Sequence, residues 1–413
     1  MTVELTKQPN KGNLAEVFLT ALKLGLTSFG GPTAHIGYFR DEYVIRKKWL
    51  NEHSFADLVA LCQFLPGPAS SQLGMAIGIR RAGLFGAFAA WIGFTMPSAL
   101  LMLMFALTSS GADVSQAGWL QGLKLAAVAI VGLAVWSMGR SMAAGPIRGT
   151  LAIGSAAAAS FIPGAGGQLV PLLVCAIVGL IAFRSSEREE ASALETKSNL
   201  VGSNIDKPIS FRAAWLSLFI FVLLLIFLPI AAHLSGSPLW SLADRAYRAG
   251  SLVFGGGHAI LPMLEQEVVG VGAGKTTTES FTAGYGAVQA MPGPLFTFAA
   301  YIGASMAAGF KGILYGTVAL ISIFLPSFLL LTGALPFWSS LRRNRSAQAA
   351  LMGVNAAIVG ILLAALYNPI WYDTVRSTSH FIIVLLIFLL LHIWKRQPWQ
   401  AVLVAALAGW LIL

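Results

Sequence analysis

The stretch FGGPTAHIGYFRDEYV (Phe29–Val44) returns as FGGGHAILPMLEQEVV (Phe254–Val269), and QFLPGP (Gln63–Pro68) returns as QAMPGP (Gln289–Pro294). The first pair is offset by 225 residues (29 to 254) and the second by 226 (63 to 289). The chain therefore contains one unit twice. Each copy interrupts an apolar segment with adjacent glycines and then with Pro-Gly-Pro. Glycine weakens a helix by about 1 kcal/mol relative to alanine. Proline lacks a backbone N–H and disfavours helix in the residue before it. Helices therefore stop inside apolar sequence. At membrane depth such a stop is tolerated only when buried in protein or lining a wet cavity. Broken apolar segments at matching places in two halves are the pattern of a repeat-built secondary transporter, and they mark where its substrate binds.

The composition agrees. Of 413 residues, 56% are hydrophobic and 11% charged, with a mean hydropathy of +0.75. A soluble domain carries about 25% charged residues, so this chain cannot cover a water-exposed surface. The runs Leu84–Thr108, Gly118–Met138, Trp215–His233, Ile313–Leu331, Ala347–Tyr367 and Phe381–Trp394 approach or exceed the ~20 residues needed to span a bilayer. The expected fold class is an all-α polytopic membrane protein. The alternating strands of a β-barrel are missing from the pattern.

The net charge of +10 reads as topology and not as a nucleic-acid surface, because the cations sit in short loops between spans. Cys62 and Cys175 lie in apolar segments and read as small buried hydrophobes. The start of the chain shows no cleavable signal peptide, and a bacterial inner membrane is the expected location. The hydrophilic stretch 185–210 reads as a linker, which gives four regions: an N-terminal repeat (1–184), this cytoplasmic linker, an inverting helix (211–236) and a C-terminal repeat (237–413).

Basic residues test the arrangement. If the broken segments are re-entrant hairpins, then Lys7, Lys11, Arg46, Lys47, Lys48, Arg80 and Arg81 share the cytoplasmic side with the N-terminus. Four spans follow, and the loops 109–117 and 163–167 on the far side hold no Lys or Arg. The helix at 211–236 crosses once more and turns the second copy over. The bias swaps accordingly: Arg80-Arg81 becomes Ala307-Ala308, and loop 109–117 acquires Arg342, Arg343 and Arg345 in its counterpart. Opposite bias in two similar halves implies an inverted repeat. Full crossings with unwound middles remain the alternative to re-entrant hairpins.

The breaks also suggest the chemistry. A helix that restarts after a break has unpartnered N–H groups and a dipole that favour an anion. Gly30, Gly31, Pro32 and Thr33 begin one such helix, and Gly255, Gly256 and His258 its second copy. Gly67 and Pro68 lead into Ser70, Ser71 and Gln72; Gly293 and Pro294 lead into the more apolar Leu295, Phe296 and Thr297. Gln63 and Gln289 precede the two Pro-Gly-Pro tips by one turn. Ionisable residues in apolar surroundings are candidates for function. Lys124 is a substrate-binding candidate, with snorkelling as its plain reading. Lys23, His35, Glu42, Arg245 and Glu267 are candidates for proton coupling or charge pairing, and helix capping is the plain reading of His35 and His258. No phosphate-binding GxxxxGK[ST], metal-ligand cluster or nucleophile–base pattern occurs. An ATP-driven pump, an enzyme and a cofactor-bearing protein are not expected. A membrane enzyme acting on a phosphate-bearing lipid would need a catalytic constellation, and a scaffold would gain nothing from the breaks.

These motifs resemble the chromate ion transporter (CHR) family in its long-chain, two-domain form. The resemblance rests on LKLGLTSFGGPTAHIGYFRDEYV at Leu22–Val44, QFLPGP with Leu73-Gly74, and Pro97-Ser98. In the second half it rests on FGGGHAILPMLEQEV, QAMPGP, Leu325–Ser327 and GVNAAIVG at Gly353–Gly360. It implies proton-gradient-driven export of chromate, with sulfate as the isosteric alternative, from antiparallel domains that form a homodimer in the lipid bilayer. Neither nucleic acid nor a bound metal enters that picture.

Overall fold

The computed structural model describes residues 13–109, 118–162, 166–183, 209–253, 278–341 and 344–412, together with Leu264. Among these, every regular element is helical. α1 (Leu14–Thr27) starts at Asn13, whose side chain accepts from the Ala15 N–H, and stops at Ser28. α2 (Gly31–Phe39) follows and runs on through a π-helical turn, Arg40–Arg46. α3 (Glu52–Phe64) is capped by Asn51, and α4 (Ala69–Ser109) opens after Pro68. α4 is two limbs in one, because Ala82 and Gly83 leave helical geometry.

Both breaks in the first half turn the chain back. Glu16, in the first turn of α1, pairs with Lys47 at 3.5 Å and with Arg81 at 3.3 Å. The Arg81 guanidinium also lies 5.0 Å from the Trp49 ring. Glu16 opens the first hairpin and Lys47 closes it, while Trp49 precedes the second hairpin and Arg81 ends it. These four chain ends share one level, so the breaks at Ser28–Gly31 and Leu65–Pro68 are hairpin tips. Past Gly83 the second limb of α4 folds against the first, close enough that a Cβ on Gly78 would strike the Gly86 carbonyl.

After α5 (Gly118–Met142), α6 (Pro146–Phe161) and α7 (Gly166–Ala182) comes α8 (Phe211–Ser235). α8 exposes Trp215, Phe219, Leu223 and Ile226. Only 11% of its most apolar window is buried, so it faces an apolar medium and not a core. The second half contains α9 (Pro238–Leu252), α10 (Thr278–Ala290), a 3-10 turn (Leu295–Thr297), α11 (Phe298–Ser305) and α12 (Gly309–Ala334). Gly25 of α1 packs on the Gly93 and Phe94 carbonyls of α4, and Gly250 of α9 packs on the Ile323 carbonyl of α12. α13 (Arg345–Ala365), α14 (Thr378–His392) and α15 (Pro398–Ile412) complete the chain.

Among the described residues, five helices are long and apolar enough to cross a membrane: Ala69–Thr108, Gly118–Met142, Phe211–Ser235, Gly309–Phe337 and Arg345–Thr374. The run expected at Phe381–Trp394 forms a helix of only 15 residues, as does α15. That is about 22 Å, shorter than a hydrocarbon core of ~30 Å.

The halves interlock. Gly122 of α5 lies against the Ala405 carbonyl of α15, and Gly409 of α15 against the Gly118 carbonyl of α5. Gly353 of α13 meets the Cys175 carbonyl of α7, and Gly360 of α13 meets the Ala152 carbonyl of α6. Each half thus covers its α5-type helix with helices of the other half, through small residues that let the backbones approach closely.

Candidate functional site

The breaks of the two halves meet. The Gly67 N–H donates to the Val253 carbonyl at 2.6 Å, and the Gly293 N–H donates to the Ser28 carbonyl at 2.8 Å. Val253 directly precedes the FGGG copy and Ser28 the FGGP copy, so each Pro-Gly-Pro tip docks on the first break of the opposite half. Both tip glycines are left-handed, with φ +116° and +95°. The Gly67 site has no room for a side chain, and the Gly293 site is tight. A Cβ on Gly67 would strike the Ser327 hydroxyl, and one on Gly293 would stand 3.1 Å from the Phe94 carbonyl and 3.3 Å from Ser98 Cβ.

Polar groups collect on the elements that form this crossing. Ser28 Oγ, both His35 ring nitrogens, Ser71 Oγ, Gln72 Oε1, Thr95 Oγ1, Gln289 Nε2 and Ser327 Oγ are buried without a hydrogen-bond partner. None of these residues is more than 5% exposed. Buried polar groups are nearly always satisfied, and a cluster of exceptions calls for a ligand or water. Most of these groups are hydroxyl, amide or imidazole donors. The His35 ring packs edge-on against Phe94 at 5.4 Å, with the backbone of Ser28, the residue that ends α1, beside it. Thr95 sits one turn before Ser98 on α4, on the same face. Ser98 and Thr297 bring their hydroxyl oxygens to 2.7 Å.

The helix starts add backbone donors. In α4 the first amide bonded back is that of Gln72, to the Pro68 carbonyl at 2.9 Å, so the amides before it face the tip. Gln72 Nε2 braces that tip by donating to the Pro66 carbonyl at 2.7 Å. The second tip opens on a three-residue 3-10 turn, and Phe296 there packs on Phe324 with ring centroids 5.8 Å apart. Gly30 and Gly31 are left-handed, φ +96° and +79°, and Gly31 starts α2. Neutral donors and helix N-termini suit an anion. Among the described residues no group of His, Cys, Asp and Glu could hold a metal ion.

The other sequence candidates fall elsewhere. Ser70 is buried at the start of α4. Gln289 is buried but Gln63 is exposed, so the matched pair is not equivalent. Lys23 donates to Glu42 at 2.7 Å, and Arg46 approaches the same carboxylate at 3.4 Å. Lys124 is buried on α5, beside the point where the Leu123 carbonyl meets Gly286 of α10. Arg245 is half-buried on α9, where the neighbouring Arg248 forks onto Asp244 at 2.8 and 3.0 Å. Gly255, Gly256, His258, Glu267 and the side chains of Pro32 and Thr33 lie outside the described residues. The sequence reading passed over Ser28 and Thr95. It read Ser98 and Ser327 only as parts of Pro-Ser pairs, although a serine after proline at matching places was a visible signal.

Comparison with known proteins gives a consistent result. A family model described as Chromate transporter matches residues 15–183 and 240–410. A chromate transport protein of Pseudomonas aeruginosa is 29% identical over 96% of this chain and 92% of its own length. One from Cupriavidus metallidurans is 25% identical over the same shares. An uncharacterised transporter of Methanocaldococcus jannaschii is 28% identical over 98% of this chain and 96% of its own. No solved structure matches.

Proposed function

The chain belongs to the chromate transporter family, and we propose that it is a secondary-active exporter of chromate driven by the proton gradient. One observation carries the mechanism: the two Pro-Gly-Pro tips dock reciprocally on the opposite half's first break, and the surrounding elements hold buried donors without partners. A tetrahedral dianion has oxygens on all sides. Backbone amides and hydroxyls converging from both halves match that shape without a fixed cation. Gly30, Gly31, Pro32, Thr33, Gly67, Pro68, Ser70, Ser71, Gly293, Pro294 and Gln289, with Gly255, Gly256 and His258 of the second copy, form the proposed site. His35 flanks it.

In this reading the halves are inverted repeats, and α8 supplies the crossing that turns the second one over. The hairpin tips lie near mid-membrane and the Glu16–Lys47–Arg81 cluster at the cytoplasmic surface of a bacterial inner membrane, as the positive-inside rule favours. The homodimer is carried over from the family resemblance.

The same site accepts sulfate, which shares the shape and charge of chromate, so the test includes both. Purified protein in vesicles should move labelled chromate or sulfate when a pH gradient is imposed. Movement of neither anion would sink the proposal. Movement that ignores the gradient would remove the proton coupling alone.

A further inference from the structure

Building on the reading of the crossing as an oxyanion site, we infer that its two hydroxyl pairs have different tasks: Ser71 and Ser327 bind the anion, while Ser98 and Thr297 form a latch. The pairs correspond by position. Ser71 maps to Thr297 by the 226-residue offset of the tips (71 to 297), and Ser98 maps to Ser327 as the residue after proline in α4 and α12. A hydroxyl has one proton to donate. Thr297 spends its proton on the Pro294 carbonyl at 2.8 Å. The 2.7 Å contact between Ser98 and Thr297 therefore uses the proton of Ser98. Both donors of this pair are committed, and they fasten the second tip to α4.

The first pair is uncommitted. Ser71 and Ser327 are 1% and 0% exposed, and neither hydroxyl has a partner. Ser327 lies against Gly67, where any side chain would strike it, so its hydroxyl is at the tip itself. Ser71 stands in the opening turn of α4, among amides with no intrahelical partner. At the second tip the residue corresponding to Ser70 is Phe296, which is buried against Phe324. Of these two corresponding pairs, the uncommitted one and the longer of the two tip helices therefore coincide at the first tip. Ser28, His35 and Thr95 lie on the second tip's side and belong to neither pair, which makes them a competing location that can be tested.

The test is equilibrium binding of labelled chromate and of labelled sulfate to the purified full-length chain. Ser71→Ala and Ser327→Ala should each weaken binding about tenfold or more, the effect of one lost hydrogen bond to a charged group. Ser71→Thr keeps the hydroxyl and should bind as the unmodified chain does. Ser98→Ala and Thr297→Val should keep their affinity within about threefold and instead lower the thermal midpoint, since they release the latch. Retained affinity in both Ser71→Ala and Ser327→Ala overturns the assignment. So does loss of binding in Thr297→Val, Ser28→Ala or His35→Phe with the Ser71 and Ser327 variants unaffected. If the unmodified chain binds neither anion, the underlying oxyanion reading fails, which is a separate result.

Discussion

Glu42 shows how one carboxylate can look functional in sequence and be held structurally. Its side chain is 6% exposed, while its partner Lys23 is 49% exposed. Losing the two partners should have unequal effects. Lys23→Met leaves a buried carboxylate with only the 3.4 Å contact to Arg46, and should cost about 1–3 kcal/mol. Glu42→Gln frees a lysine that can turn to solvent, and should cost less. Thermal unfolding in detergent measures both, and the reverse order would contradict the pairing. Proton-driven uptake by Glu42→Gln is a separate readout: a structural pair predicts that it persists, and a proton carrier predicts that it does not. At this scale the glycines were the legible part. Gly30, Gly31, Gly67 and Gly293 need positive φ, and glycine is the residue that adopts it without steric cost. The pairing of Ser98 with Thr297 was not legible, because 199 residues separate them and no local preference encodes the contact.

The helix breaks belong to the scale of elements, and there a contrast among left-handed glycines isolates what the tips need. Gly67, Gly293 and Gly236 all have positive φ, so alanine strains each by about 1–2 kcal/mol. A Cβ at Gly236 meets nothing within 4 Å, whereas one at Gly67 strikes Ser327. Gly236→Ala should keep transport, while Gly67→Ala should lose most of it at comparable expression. Vesicle uptake decides this, and equal loss in both would mean that strain alone matters. Trp338 offers a second test between elements. Its indole N–H donates to Asp57 Oδ1 at 3.1 Å, tying α3 of the first half to the turn after α12. Trp338→Phe should cost about 1–3 kcal/mol in thermal unfolding. An unchanged midpoint would show that the tie carries no stability. The positions of the breaks were readable because Gly and Pro act locally. Whether the two breaks of the first half turn the chain back was not readable, because Glu16, Lys47, Trp49 and Arg81 decide it through contacts distant in sequence.

At the scale of the whole molecule, the duplication was plain in the sequence but the interlocking was not. Offsets reveal two units, yet the small residues that mark a close helix crossing do not name the partner helix. The structure pairs α5 with α15 and α13 with α6 and α7, and each Pro-Gly-Pro tip with the other half's break. Neither half therefore owns the whole crossing or a complete core. This predicts how the chain responds to being cut. A cut between residues 196 and 197 falls in the hydrophilic linker, so it removes one covalent connection and leaves the described helices whole. Fragments 1–196 and 197–413, expressed together, should co-purify and bind chromate or sulfate, because every contact that builds the crossing can still form. Expressed alone, fragment 1–196 lacks the α15 backbone that covers Gly122, and fragment 197–413 lacks the α7 and α6 backbones that cover Gly353 and Gly360. Each should then aggregate or be degraded, and bind neither anion. Size-exclusion chromatography with labelled-anion binding reads both outcomes. A single fragment that runs as one species and binds the anion would show that one half suffices, and the composite site would have to be given up.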